Sequence, residues 1–325
     1  MSRVVMATPG TLLTVRRGIL ILKRQGGDVV AEVPLTDVDE VLIASRGVTL
    51  VSKALYELVS LGIPTYFVRS DGLVQAMLWP AVPNRTVETR RAQYSLMAKG
   101  DSLKYAVVFV RAKIRNKAWL LKYLGRSRRN DRIRECGYVV EGHLSDLRAC
   151  SDVPCVMGVE AAASRAYWAC FAGHVVPPHH AFTGRDQDGC DPVNAALNYG
   201  YGILRLKCMK AILTAGLDPY AGFLHVDKSG KPSLTLDFME PFRFAVDKAV
   251  AELALRNGAL ETTEGLLTRE SRRVVADAVL RELEERSYRY GTVRKSLDKI
   301  IKLQAMELAH SIRTGESFEA FTVKW

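Results

Sequence analysis

The hydrophobic period of this chain changes once, near Pro80, Pro83 and Asn84, and that change constrains the fold more than any other feature of the sequence. Before it, residues 11–15, 19–22, 29–33 and 40–43 are β-branched runs separated by Arg17-Gly18 and Gln25-Gly26-Gly27, the pattern of short strands joined by tight turns. Residues 52–61 interrupt them with helical spacing (Leu55, Leu58, Val59), and residues 63–68 and 72–78 return to strand. After it, residues 85–98, 102–124, 131–150, 153–172, 192–214, 241–256, 266–288 and 293–313 carry apolar side chains at three- and four-residue steps, which is the period of amphipathic helices. The prolines mark a hinge. The expected class is α+β: a small β-sheet domain over residues 1–82, with a structural or dimerising role, then a larger all-α domain over residues 83–325.

With 325 residues, 48% of them hydrophobic and 25% charged, the chain is long enough for two such cores. A net charge of +11 favours a polyanionic partner, because clustered Lys and Arg neutralise phosphates and release counterions. No apolar run reaches membrane-spanning length and the N-terminus does not read as a signal peptide, so a cytoplasmic protein with no membrane partner is expected. Cys136, Cys150, Cys155, Cys170, Cys190 and Cys208 form no C-x-x-C pair, which favours reduced, buried thiols over disulfides or structural zinc.

The chemistry concentrates in residues 222–243. An apolar approach delivers His225, a Lys-Ser-Gly-Lys-Pro turn reverses the chain, and a second apolar run delivers Asp237 and Glu240 three residues apart. At the start of a helix those acids share one face, and two carboxylates with an imidazole suit Mg2+ or Mn2+. The same spacing is also an N-terminal capping box, so the pair alone leaves both readings open. A further acid, Glu160, lies inside an expected helix among Met157, Gly158, Val159 and a run of alanines. An acid in such surroundings requires a cation, a base or a proton. An ion pair, with an Arg of another helix, is the competing explanation, whereas the small flanking residues leave room for a ligand.

Asp191-Pro192 reads as a helix start, followed by Asn194, Asn198, Tyr201 and Arg205 as a polar stripe that is a buried hydrogen-bond network, orients the acidic site or holds a nucleotide. Arg165, Arg185, Arg205, Lys228 and Arg243 are expected to contact DNA or support the acidic site, with pairing to an acid as the competing explanation. His174, His179 and His180 read as exposed loop residues. Two basic concentrations, Arg111 to Arg129 and Arg269 to Lys295, read as phosphate contacts or solvated helix faces, with Trp119, Tyr123, Tyr288 and Tyr290 as stacking neighbours.

Taken in order, Gly-Val-Glu160-Ala-Ala-Ala, Asn194-x-x-x-Asn-Tyr-Gly-Tyr, Gly222-Phe-Leu-His225 and Ser233-Leu-x-x-Asp237-x-x-Glu240-Pro-Phe-Arg243 resemble the CRISPR-associated adaptation endonuclease/integrase family, the universal Cas protein of spacer acquisition. Gln93 and the stretch Lys113-Ile-Arg-Asn-Lys117 belong to the same resemblance. Ala161 departs from the glycine that many relatives carry after the glutamate, and the charged turn at residues 126–131 is less typical. The resemblance implies a metal-dependent DNA endonuclease/integrase with Glu160, His225 and Glu240 as metal ligands and Asp237 as an assisting acid. It implies Mg2+ or Mn2+, a homodimer formed through the sheet domain, and double-stranded DNA as both the captured fragment and the CRISPR repeat. It also implies a small ferredoxin-like CRISPR-associated partner in a heterohexamer. Attack of a 3′-OH on a phosphodiester needs no ATP, and no G-x-x-x-x-G-K-[ST] loop is present. Two other readings stay open: a nuclease in which water replaces the 3′-OH, and a basic DNA-binding scaffold whose acids are only caps and ion pairs.

Overall fold

The computed structural model describes residues 2–24, 26–69, 74–78, 86–225, 228–256 and 258–324. The expected hinge residues Pro80, Pro83 and Asn84, together with Gly72 and Arg85, lie outside them. The chain divides into two compact units, Met1–Pro83 and Asn84–Trp325.

The first unit contains β1 (Ser2–Met6), β2 (Thr11–Arg16), β3 (Ile19–Arg24), β4 (Val29–Pro34), β5 (Val38–Ile43), β6 (Thr49–Leu50), α1 (Ser52–Ser60), β7 (Thr65–Val68) and β8 (Val74–Leu78). They form two four-stranded sheets, ordered β1-β5-β7-β8 and β4-β3-β2-β6. Strands β2 and β3 pair antiparallel with Arg16 opposite Ile19, which leaves Arg17 and Gly18 as a two-residue turn. Both have positive φ, 52° and 75°, the conformation whose twist matches a tight hairpin. Thr11, Leu13 and Val15 are buried while the residues between them are half-buried, so β2 keeps the period of a strand with one face in the core. That core gathers Leu13, Leu20 and Val41 with Ala54 and Leu58 of α1, each large aliphatic contributing roughly 1.5–3 kcal/mol by burial.

The second unit is mostly helical: α2 (Thr86–Ala98), α3 (Ser102–Ser127), α4 (Asp131–Gly142), α5 (Val153–Cys170), α6 (Pro192–Thr214), α7 (Ser233–Met239), α8 (Arg243–Leu253), α9 (Arg269–Leu280) and α10 (Leu297–Thr314). It is not purely so, because β9 (Thr262–Thr263) pairs with β10 (Leu266–Leu267) and β11 (Ser287–Tyr290) with β12 (Val293–Ser296). Apolar spacing assigns residues 266–267, 287–288 and 293–296 to helices, and the structure makes them strands. In the hairpin Tyr288 is buried and Arg289 exposed, a period of two imposed by the antiparallel pairing.

Helix α3, about 39 Å long at 1.5 Å per residue, lies at the centre of this core, with Phe109, Val110, Leu120 and Leu121 fully buried. The basic run that begins on it is therefore only partly a solvated face, with Arg115, Arg126 and Arg129 exposed. Lys113 and Lys117 are buried, Lys122 pairs with Glu141, and Arg128 donates to the carbonyls of Val175 and Ala251. Trp119 and Tyr123 stack with centroids 5.3 Å apart, and Trp119 meets Phe244 and Tyr288 edge-on. These rings pack the core rather than offering a platform for bases.

Two other expectations are corrected. Cys136 is bonded to Cys170 and Cys150 to Cys155. Helices α4 and α5 bring the first pair together across 34 residues of sequence, which spacing alone does not reveal. His180 is buried and its Nε2 hydrogen-bonds the carbonyl of Ala254 at 2.8 Å, so it is a packed residue and not an exposed one. Among the described residues no helix is long and apolar enough to cross a membrane.

Candidate active site

The loop that carries His225 is built before the residue itself arrives. Gln93 on α2 is fully buried and donates to the carbonyls of Asp218 (3.1 Å) and Ala221 (2.8 Å), while its own oxygen accepts from the amide of Asp218 (2.9 Å). Gly222 then passes so close to α7 that a Cβ there would lie 2.7 Å from Cβ of Ser233 and 2.9 Å from Oδ2 of Asp237. Only glycine permits that approach. The carboxylate of Asp237 accepts the amides of Phe223 (2.6 Å), Leu224 (2.9 Å) and His225 (3.0 Å), and Nδ1 of His225 at 2.5 Å.

The capping alternative for Asp237 thereby fails, because α7 begins at Ser233 and the acid binds another segment's amides instead of its own helix start. Because a carboxylate accepts, Nδ1 of His225 is the donor, and in the neutral ring the other nitrogen, Nε2, carries the lone pair. A carboxylate behind a histidine in this way is the usual support for a metal-binding imidazole.

Glu240 opens the turn Glu240–Phe242 between α7 and α8 and is 3% exposed. Its Oε1 accepts from Nε of Arg243 at 2.9 Å, and its Oε2 is ion-paired with Lys113. Glu160 comes from α5, which starts where the side chain of Asp152 accepts the amide of Cys155 at 2.8 Å and Pro154 occupies the first turn. Its Oε1 accepts from Nζ of Lys113 at 2.5 Å and, one turn along, from Oγ of Ser164 at 2.7 Å. The ion-pair reading of Glu160 is thus realised, with a lysine as the base. An added Cβ at Gly158 would meet nothing within 4 Å, so helix packing does not require the small residue beside the acid.

Burial pushes the Glu240 carboxyl up, but Arg243, Lys113 and His225 outweigh it and bring it down to about 2. Burial likewise pushes Glu160 up; Lys113, with help from Ser164, holds it below the usual carboxylate range despite the repulsion of Glu240. Both acids are therefore anionic at neutral pH.

A second buried network supports these residues. On α3, Asn116 and Lys117 follow Lys113 at helical steps. Asn116 donates to the carbonyls of Pro241 (2.6 Å) and Phe321 (3.0 Å), fixing the turn that carries Glu240. Lys117 lies 3.6 Å from Asp247 and 4.0 Å and 4.2 Å from the ring centroids of Tyr167 and Trp168; burial lowers its ammonium to about 8 against the pull of Asp247. Asp247 is fully buried and also accepts the hydroxyls of Tyr167 (2.8 Å) and Tyr201. The ring of Tyr201 lies 4.7 Å from the guanidinium of Arg243.

Of the expected accessory residues, Tyr201, which is buried, and Arg243, which is half-buried, brace the acidic site in this way. Arg185 donates to Asn194 (3.0 Å) and Asn198 (2.5 Å), while Asn194 and Asn198 donate to the carbonyls of Gly184 and Gln187 at 2.9 Å. The polar stripe on α6 thus ties down the loop that precedes it. Arg165 and Lys228 are exposed and Arg205 half-buried. Arg165 stands five residues beyond Glu160, about 140° around the helix, and so faces elsewhere. Sequence reading missed Ser164 and Asp247, and read Lys113 and Lys117 as part of a surface charge run. The signal available was their spacing with Asn116 in a helix that is otherwise apolar on that side.

Glu160 and Glu240 are thus brought to one ammonium. Among the described residues no three His, Cys, Asp or Glu side chains stand close enough to hold an ion as a set. The donors nevertheless fit a divalent cation: two ionised carboxylates, one imidazole with Nε2 available and its tautomer set, and a positive charge already accommodated between the acids.

The family model described as CRISPR associated protein Cas1 matches residues 4–281. A CRISPR-associated endonuclease Cas1 of Hyperthermus butylicus is 38% identical over 98% of this chain and 97% of its own. A CRISPR-associated endonuclease Cas1 2 of Pyrobaculum aerophilum is 41% identical over 96% and 100%. Among solved structures, a casposase bound to integration product superposes with a TM-score of 0.85 at 25% identity, covering 98% of this chain and 93% of that one. Glu160, His225 and Glu240 all fall within the matched residues, and on that match and those near-full-length identities the chain belongs to the CRISPR associated protein Cas1 family.

Proposed function

We propose that this chain is a metal-dependent DNA endonuclease/integrase of CRISPR adaptation, in which Glu160, Glu240 and Nε2 of His225 hold Mg2+ or Mn2+. The single observation that carries the reading is that acids 80 residues apart converge on one buried ammonium; the fixing of one nitrogen of His225 by Asp237 supports it. A divalent cation there would neutralise charge growing on the phosphoryl oxygens and favour the attacking oxygen as its anion. The residues supply the rest. Asp237 orients the imidazole, Arg243 and Asn116 fix the turn bearing Glu240, and Ser164 fixes the rotamer of Glu160. In strand joining, a 3′-oxygen forms one P–O bond as the target strand's P–O bond breaks, so the number of phosphodiesters is unchanged and no nucleoside triphosphate is consumed.

The integration product in the casposase structure supports strand transfer, and the endonuclease names of the curated relatives fit hydrolysis at the same site. Double-stranded DNA is the substrate of both. A homodimer formed through the sheet unit, residues 1–82, and a small ferredoxin-like CRISPR-associated partner in a heterohexamer complete the proposed assembly, with residues 83–325 carrying the metal and DNA sites. Exposed Arg165 and Lys228 are the proposed backbone contacts.

The test incubates the protein, with and without the small partner, with a duplex bearing 3′-OH ends and a supercoiled repeat-bearing plasmid in Mn2+ or Mg2+. Branched or relaxed plasmid joined to the duplex is expected. Linear fragments without joining would assign hydrolysis alone, and no divalent-dependent product would leave a DNA-binding scaffold.

A further inference from the structure

Lys113 stands where the two acids meet. Its Nζ is 2.5 Å from Oε1 of Glu160 and in ion-pair contact with Oε2 of Glu240, and the residue is only 8% exposed. Two neighbouring carboxylates repel each other, and a cation placed between them offsets that repulsion. Lys113 supplies one positive charge between them, while Arg243 supplies another at the far oxygen of Glu240. The two acids are then balanced by two bases. A dication held by the same carboxylates would compete with the ammonium for the same oxygens and add two charges to a group that is already neutral.

We propose that Lys113 is a built-in cation that holds the metal-free site together and leaves its place between Glu160 and Glu240 when a divalent ion binds. This rests on the metal-site reading given above. The choice of lysine suits the role, because an ammonium on a four-carbon stem can swing out of a site, whereas a guanidinium makes a rigid fork to its carboxylates. Lys117, one turn further along α3, cannot replace it, being committed to Asp247 and to the rings of Tyr167 and Trp168. Ser164 keeps its bond to Glu160 and holds that carboxylate in place when the lysine departs. The consequence is a metal affinity reduced by the fraction of molecules in which the ammonium has withdrawn. The protein remains folded without metal and loads its ion only against this internal competitor.

The experiment titrates Mn2+ into the metal-free full chain and into Lys113→Met by calorimetry, with free Mn2+ followed by electron paramagnetic resonance. Binding at least about tenfold tighter in the variant is expected, together with a lower melting temperature without metal that Mn2+ restores by more than it raises that of the unaltered protein. Equal or weaker binding in the variant would overturn the displacement, while Mn2+ binding by the unaltered chain would leave the metal site standing. No binding by either would overturn both. A second measurement needs no variant: amine labelling of Lys113, read by peptide mass spectrometry, should be several-fold faster in saturating Mn2+, and an unchanged rate would overturn the inference.

Discussion

Glu160→Gln is expected to reduce divalent-dependent cleavage and joining of DNA by about 10³-fold or more while leaving DNA binding and folding nearly intact. The substitution keeps the shape of the side chain and removes its charge. Lys113 retains Glu240 and Arg243 retains its own bond to that acid, so no buried charge is stranded. Stability should change by no more than about 1–2 kcal/mol. Filter binding, thermal melting and a gel assay in Mn2+ on the same preparation separate the three quantities. Activity within tenfold of the unaltered protein would remove Glu160 from the chemistry and return it to the ion-pair role that its sequence context also allowed.

Asp237→Ala is expected to have the largest effect on stability, about 3–5 kcal/mol, and to abolish activity by a different route. The carboxylate is fully buried and accepts three backbone amides and the imidazole of His225. Removing it leaves those donors facing a space that no neighbouring acceptor fills, so the loop over residues 222–225 loses its anchor. His225→Ala provides the contrast, since it deletes the imidazole and its Nδ1 bond to Asp237 but keeps the three amide bonds. It should lose activity at nearly unchanged stability. Chemical denaturation followed by circular dichroism reads the difference, and equal stability of the two variants would mean that Asp237 is a ligand first and a scaffold second.

The two effects differ because the three acids do different work, and the sequence showed only part of that. The strand period was legible where one face alone is buried, as in Thr11, Leu13 and Val15, and the helix Pro192–Thr214, buried on most sides, has the expected bounds because Asp191-Pro192 marks its start. Periodicity misled at Ser287–Ser296, where a hairpin interrupts apolar spacing that also fits a helix. Glu160, His225 and Glu240 were legible as unusual residues in context and through the resemblance of the whole ordered set. Their supports were not. Lys113 and Lys117 look like any basic helix face until α3 is surrounded, because burial of one residue on a central helix is decided by elements dozens of residues away. Asp237 fitted a capping pattern, and only the return of the chain at Gly222 shows that its carboxylate holds another segment. The disulfide between Cys136 and Cys170 was hidden for the same reason: it depends on how α4 and α5 align.

Crystals of the full chain grown in Mn2+ and measured at the manganese absorption edge test the central claim most directly. The account predicts one anomalous peak at coordination distance, about 2.0–2.3 Å, from a carboxylate oxygen of Glu160, one of Glu240 and Nε2 of His225, with Nζ of Lys113 withdrawn. A peak bound elsewhere, or one reached by the carboxylates while His225 faces away from it, would contradict a single shared ion.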